Sequence, residues 1–317
     1  MGTDKKVQIL LSTYNGEKYL EDQLKSYAVL EGGFSYHVFI RDDGSTDGTI
    51  DILLRYAKKS NFMVEFGDHR GLNASYCWLI EHCRKDYDYY ALSDQDDIWL
   101  PNKMALAVES LCSLGDGIPG LFFSRSILID ADAKPIGKTP KVVREPSFYN
   151  AVLQNVCPGH TQVFNRELLK WLRRYSDCRN IYAFDWFVYL IATIFGIVLY
   201  SEECTVLHRQ HGSNTVGFRH GWLPILLRRF GNVFVGRGKF VSRQIEGILR
   251  CAGKDMPKAY RKEVELFLNS QDTFASRLCY VLHSKVYRQS KVDTTFFRCI
   301  YFFGGYNPGA VNQSSLN

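Results

Sequence analysis

Residues 90–99 read YALSDQDDIW, and the fold is decided by how this stretch is read. The run DYYALS, residues 88–93, is apolar enough for a buried strand. Asp94, Asp96 and Asp97 follow it within four positions. Like charges crowded at the mouth of a strand repel one another, and a bound cation would relieve them.

Three upstream segments repeat the pattern of a short apolar run followed by turn residues. VQILLS (7–12) leads into TYNG, HVFIRDD (37–43) into GSTDG, and MVEF (63–66) into GDHRG. Helical spacing separates them. EKYLEDQLKSYAVL (17–30) places Tyr19, Leu20, Leu24 and Tyr27 on one face. STDGTIDILLRYAKK (45–59) reads as a helix capped by Ser45 or Thr46. NASYCWLIEHC (73–83) and NKMALAVESLCSL (102–114) complete the series. Such alternation predicts an α/β fold with a parallel sheet and helices on both faces.

Past residue 120 the pattern loosens. GLFFSRSILID (120–130) and TQVFN (161–165) read as strands, RELLKWLRRY (166–175) as a helix and FDWFVYLIATIFG (184–196) as a buried helix. TVLHRQHGSNTVG (205–217) reads as a strand ending in a polar loop.

With 46% hydrophobic residues the 317-residue chain can bury a core, which excludes a disordered protein. The longest apolar stretch, VYLIATIFGIVLY (188–200), falls short of the ~20 residues a membrane helix needs and reads as a buried helix running into a strand. No secretory signal is expected, and Lys6 stands where a myristoylation motif needs Ser or Thr. Nine cysteines without a CxxC fit a reducing cytoplasm. Cys204, His208 and His211 resemble a zinc set but lack a fourth ligand.

The net charge of +6 is unevenly spread: residues 216–317 hold 16 Lys+Arg against 6 Asp+Glu, and residues 1–215 hold 23 against 27. The expected division is therefore a domain over 1–217 and a basic, mainly helical region over 218–317. Apolar residues alternate irregularly with Arg and Lys in that second region. This suits either a membrane surface or a helical bundle that closes the first domain or forms a homodimer. No motif supports nucleic-acid binding.

In open α/β sheets ligands bind beyond the carboxyl ends of the strands. IRDDGSTDG and LSDQDD then lie on one rim, next to STYNG. Carboxylates gathered there suit Mg²⁺ or Mn²⁺, and through the ion a nucleoside diphosphate. Neither GxxxxGK[ST] nor a GxGxxG after a strand is present, so no glycine cradle grips the phosphates.

ILLSTYNGEKYLEDQLKS, IRDDGSTDGT, LSDQDDIWLPNK and HRQHGSNTVG, in that order, resemble an inverting family-2 glycosyltransferase of the GT-A fold. Within that family they are similar to the bacterial rhamnosyltransferase-like branch, and the likeness spans about residues 7–217. The resemblance implies a cytoplasmic enzyme, peripheral on the inner face of the cell membrane. It implies transfer of a hexose, L-rhamnose from dTDP-rhamnose foremost, to a lipid-linked saccharide. A UDP-sugar donor (glucose, galactose or N-acetylglucosamine) and a non-catalytic nucleotide-sugar binder are the alternatives.

By the same resemblance Ser12 and Tyr14 line the base pocket, and Asp43 accepts the imide N–H of uracil or thymine. Asp94 and Asp96 form the DxD motif. Asp96 meets the Mn²⁺ or Mg²⁺ ion, Asp94 faces the ribose or the metal's waters, and Asp97 supports them. Asp185 stands at the position of the base that deprotonates the acceptor, although Phe184 replaces the His that often precedes it. A helix-capping role for Asp185 is also open. His211 is implied to help hold the metal or diphosphate. Arg209 is implied to pair with phosphate or a rim Asp, and His160 to border the sugar and acceptor pocket. Trp99, Trp186 and Tyr182 are either sugar platforms or core.

Overall fold

The computed structural model describes residues 5–175, 181–210 and 237–306. The chain begins β1 (Lys5–Thr13), α1 (Leu20–Ser26), β2 (Phe34–Asp42), α2 (Thr49–Tyr56), β3 (Phe62–Phe66), α3 (Leu72–His82), β4 (Tyr89–Ser93). It continues β5 (Ile98–Trp99), α4 (Lys103–Cys112), β6 (Gly120–Ile129), β7 (Pro135–Lys138), α5 (Phe148–Ala151), β8 (Val163–Asn165), α6 (Arg166–Arg174), α7 (Phe184–Phe195), β9 (Ile197–Arg209). Four further helices follow among the described residues: α8 (Arg237–Ala252), α9 (Lys258–Asn269), α10 (Phe274–His283) and α11 (Lys291–Phe302).

The strands form one nine-stranded sheet in the order β3-β2-β1-β4-β8-β6-β9-β5, with β7 on β6. β1 is buried from Val7 to Thr13 and β2 from Val38 to Asp42, as expected of strands covered on both faces. Parallel pairing sets Thr13 opposite Asp42 and Leu11 opposite Ser93. The carboxyl ends of β1, β2 and β4 therefore open on one edge.

β1 to β4 pair in parallel as the alternation predicts, and later strands make the sheet a mixed one. β8 runs antiparallel to both β4 and β6, and β5 runs antiparallel to β9. Periodicity reports which segments are strands but not their direction. The expected cap of α2 is corrected. The helix starts at Thr49, and Ser45 instead donates from its hydroxyl and its backbone N–H to Asp42, at 2.6 and 2.8 Å. The open N–H groups of Gly48 and Thr49 go to Glu17 and Asp47.

The chain divides into two compact units. The first comprises Met1–Val142, Asn155–Asp177 and Phe184–Gly217, and carries the sheet. The second comprises Val143–Gln154, Cys178–Ala183 and Phe218–Asn317, so it draws in two short segments that sequence reasoning left with the first. Its helices enclose an aromatic core around Phe267, Tyr280 and Tyr301. No helix among the described residues is long and apolar enough to cross a membrane.

Candidate active site

Asp43 follows β2 directly, and it is buried. Arg41, two residues earlier and equally buried, pairs with it. The backbone N–H groups of Arg70 and Gly71 donate to it at 3.0 and 2.8 Å, and His69 Nδ1 lies 3.0 Å from Oδ2. Three donors thus meet this carboxylate, and the His69 ring nitrogen, also 3.1 Å from the Asp43 carbonyl, lies beside it. Burial alone pushes the Asp43 carboxyl up, but the Arg41 guanidinium and the two N–H groups together hold it below its usual value. Tyr14, at the end of β1, is half in solvent, and its ring lies 4.2 Å from that of His69.

The acidic run after β4 is tied to β1 by its middle residue. Gln95 accepts the Tyr14 N–H at 2.8 Å and donates to the Tyr14 carbonyl at 3.0 Å. Asp94 receives the Tyr76 hydroxyl at 3.1 Å. Burial, with Asp97 and Asp96 close by, pushes the Asp94 carboxyl up to about 7. Asp97 is fully buried; its Oδ1 accepts from His208 Nδ1 at 2.9 Å and from the Arg209 N–H at 3.0 Å. Burial pushes Asp97 up, but the imidazoles and the Arg209 N–H outweigh it and hold the carboxyl below its usual value. His208 is pushed up, because the carboxylates overcome its own burial. His160, buried beside it, is pulled down to about 3 by burial and by His208. Of the two imidazoles, His208 is therefore the one whose protonated form is favoured.

Behind this cluster sits a fully buried lysine. Lys103 Nζ donates to the His160 carbonyl at 2.9 Å and lies 4.3 Å from the centroid of the Trp99 ring. Burial pulls it down to about 7 against the opposing pull of Asp97 and Asp94.

Asp185 lies in the first turn of α7, half-buried. Its Oδ2 accepts from Asn155 Nδ2 at 2.8 Å and from the Gly159 N–H at 3.3 Å, and its Oδ1 accepts from the Trp186 N–H at 2.7 Å. Burial raises its carboxyl above the usual range in spite of these bonds. The helix begins at Phe184, whose N–H is accepted by Asn73 at 3.0 Å, so Asp185 sits within the first turn and not at the cap position.

One short turn joins these groups. Gly159 bonds Asp185, and the next residue, His160, brings Nδ1 to 3.9 Å from Asp94 Oδ2. Asp94 and Asp185 thus flank the same 3₁₀ turn. Helix α3 joins them a second time. Asn73 holds the start of α7, Ser75 Oγ accepts from Ser12 at 2.7 Å and from Arg41 at 3.1 Å, and Tyr76 holds Asp94 while stacking on Phe184.

A family model described as Glycosyl transferase family 2 matches residues 8–172. The dTDP-rhamnosyl transferase RfbG of Shigella flexneri is 30% identical over 262 residues, which cover 77% of this chain and 85% of that protein. The chain belongs to glycosyl transferase family 2. A solved structure of Staphylococcus aureus TarS 1–349 with UDP-GlcNAc superposes with a TM-score of 0.54 at 14% identity, covering 93% of this chain and 90% of that one. The mannosyltransferase PcManGT from Pyrobaculum calidifontis, with GDP-Man and Mn²⁺, gives 0.53 at 15%, covering 96% and 86%. These likenesses identify the fold of this family-2 transferase as GT-A.

Which residues of the transferase suit a metal is answered by their geometry. Asp97, His160 and His208 bring ligand atoms within 4.8 Å of one another. Their imidazoles, however, stack 4.0 Å apart at 7°, and a metal bound through a ring nitrogen lies in that ring's plane. Two parallel planes do not share an ion, so this trio fits proton sharing. Asp94 and Asp96, half-exposed oxygen donors crowded by like charge, fit a hard divalent ion. Asp97 Oδ2 is buried without a hydrogen bond behind them, and His160 Nδ1 lies 4.0 Å from it. His211 lies outside the described residues, and with it part of the Cys204–His208–His211 zinc set.

Other expectations change. Trp99 and Trp186 are 1% and 6% exposed and belong to the core, so neither is a sugar platform. Exposed Tyr182 stacks on Phe240 at 4.4 Å. Arg209 is buried; its guanidinium donates to the Asp96 and Ala131 carbonyls and pairs with Asp22 at 3.2 Å, which takes it away from phosphate. His160 is buried and bonded to Ser126 at 2.8 Å, so only its Nδ1 edge turns toward the acids. Sequence reasoning missed Asn73, Ser75, Tyr76, Gln95, Lys103 and Asn155. Of these only Gln95 carried a signal, its place inside the acidic run.

Proposed function

We propose that this transferase moves a hexose, L-rhamnose from dTDP-rhamnose, onto a hydroxyl of a lipid-linked saccharide in cell-surface polysaccharide synthesis, with inversion at the anomeric carbon. The choice of donor rests on the similarity to a dTDP-rhamnosyl transferase over 77% of the chain. The observation that carries the chemistry is the turn at Gly159–His160, which has the Asp185 carboxylate on one side and Asp94 on the other.

In this reading Asp185 is the base. The acceptor oxygen attacks the anomeric carbon as the bond to the diphosphate breaks, and the hydroxyl proton passes to Asp185. A carboxyl held above its usual range by burial, and bonded only by neutral donors, takes up that proton readily. Asn155 and the Gly159 N–H aim it. A divalent ion, Mn²⁺ or Mg²⁺, held by Asp96 and Asp94 would stabilise the negative charge of the leaving diphosphate. Tyr14 stacks on the pyrimidine ring of the nucleotide. Asp43 accepts the imide N–H in place of His69, its exposed partner, whose side chain is 55% accessible.

The test is a turnover screen of dTDP-rhamnose, UDP-glucose, UDP-galactose and UDP-N-acetylglucosamine with a lipid-linked acceptor mimic, with and without Mn²⁺. Turnover of dTDP-rhamnose above the others is expected. Preference for a UDP-sugar would replace the donor, and nucleotide binding without turnover of any donor would replace the enzyme reading.

A further inference from the structure

The outward face of the α10–α11 pair departs from an ordinary solvated surface. The rings of Phe274 and Phe302 lie 4.3 Å apart, joining the start of α10 to the end of α11, so the two helices run antiparallel. Tyr280, Phe297 and Tyr301 fill their inner side. On the outer side of α10, Phe274, Leu278 and Leu282 recur at i, i+4 and i+8 and are 57%, 41% and 68% exposed. On α11, Val292 and Phe303 are 65% and 80% exposed and fall on one stripe with exposed Cys299. A helix pair that is apolar on both faces is not satisfied by its own core.

The surroundings of this face are basic. Residues 270–306 contain Arg277, Lys285, Arg288, Lys291 and Arg298 against Asp272 and Asp293. Lys285 and Lys291 are exposed at the connection between the helices, and Arg277 and Arg298 are half-buried along the sides.

We propose that this face docks on an anionic lipid surface. Two copies meeting through it would bring like basic rims together. Anionic headgroups neutralise the same rims, while Phe and Leu side chains enter the boundary between headgroup and acyl chain. The helices lie on the bilayer, since none described can span it. The inference uses no residue of the active site and stands apart from the choice of donor and base.

The experiment is flotation of the full chain with vesicles of phosphatidylcholine, alone or mixed with phosphatidylglycerol. Binding to the anionic vesicles alone, and release by salt, are expected. The pair Leu282→Asp and Phe303→Asp should lower binding at least ~10-fold, with circular dichroism and nucleotide binding unchanged. The milder pair Leu282→Ser and Phe303→Ser guards against loss through misfolding. Lys285→Gln with Lys291→Gln should weaken binding and flatten its salt dependence. Absence of vesicle binding would overturn the proposal, as would binding indifferent to the apolar variants. A dimer in light scattering that Leu282→Asp dissociates would make this face a subunit contact and overturn it as well. If vesicles bind but no donor turns over, the docking face stands and the transfer reading falls.

Discussion

At the end of β2, Asp43 is gripped by a buried guanidinium, an imidazole and two backbone N–H groups, and its carboxyl is held low. At the start of α7, Asp185 is gripped by an amide side chain and two backbone N–H groups, and its carboxyl is held high. Both are carboxylates under loops of the same sheet. What differs is a cation in contact. Burial raises a carboxyl in either place, and at Asp43 the buried guanidinium together with two N–H donors outweighs it. The parallel half of the sheet therefore offers a fixed charge suited to recognition. The half that follows offers a carboxylate suited to taking a proton.

The largest effect should come from removing the proposed proton acceptor. Asp185→Asn keeps the shape and is expected to cut kcat by 10³-fold or more (about 10²–10⁴ is typical of a lost general base), with nucleotide binding by calorimetry unchanged. Retained transfer would remove Asp185 as base. The same variant should melt at a higher temperature at pH 7. A carboxyl whose folded pKa is raised favours folding less as pH climbs from its unfolded to its folded value, and the amide carries no such penalty.

Next in size is Asp43→Ala, which strands Arg41 without its partner. Loss of one member of a buried pair costs about 3–5 kcal/mol, to be read from denaturant unfolding. The sign of the pH effect is opposite to that of Asp185. The folded pKa of Asp43 is lowered, so its contribution is complete above the unfolded value and fades as pH falls through the folded one. The wild type should lose stability in acid more steeply than the variant. Parallel acid-unfolding curves for the two would dissolve the contrast between the sites.

Asp96→Ala should erase the Mn²⁺-dependent part of nucleotide affinity, roughly 10- to 100-fold, as seen by titration with and without metal. An undiminished response to Mn²⁺ would move the metal elsewhere. The smallest effect is assigned to Tyr76→Phe, which keeps the stack on Phe184 and deletes the hydroxyl at Asp94. A loss of about 1 kcal/mol in nucleotide affinity, with kcat nearly unchanged, would mark Tyr76 as a positioning residue.

Strand and helix positions in the first 120 residues were legible because each run buries apolar groups at a fixed period, and β1, α3 and β4 lie where that period put them. The acidic ends of β2 and β4 were legible too, since charge directly after a buried strand stands out. Strand direction was not, because β8 reads the same whichever way it runs. Nor was Lys103, whose burial beneath Trp99 is invisible in a string where lysine usually marks solvent. Asn73, Ser75 and Tyr76 read only as a helix, for their partners lie up to 111 positions away.

By itself the sequence determined the alternation of elements, the acidic rim and the membership in a transferase family, all of which rest on local order and residue type. The tertiary structure decided which carboxyl is held low and which is held high. It also decided which aromatics are core, as with Trp99 and Trp186. Those outcomes depend on burial and on neighbours distant in the chain, and electrostatic energy is set by distance and by access to water.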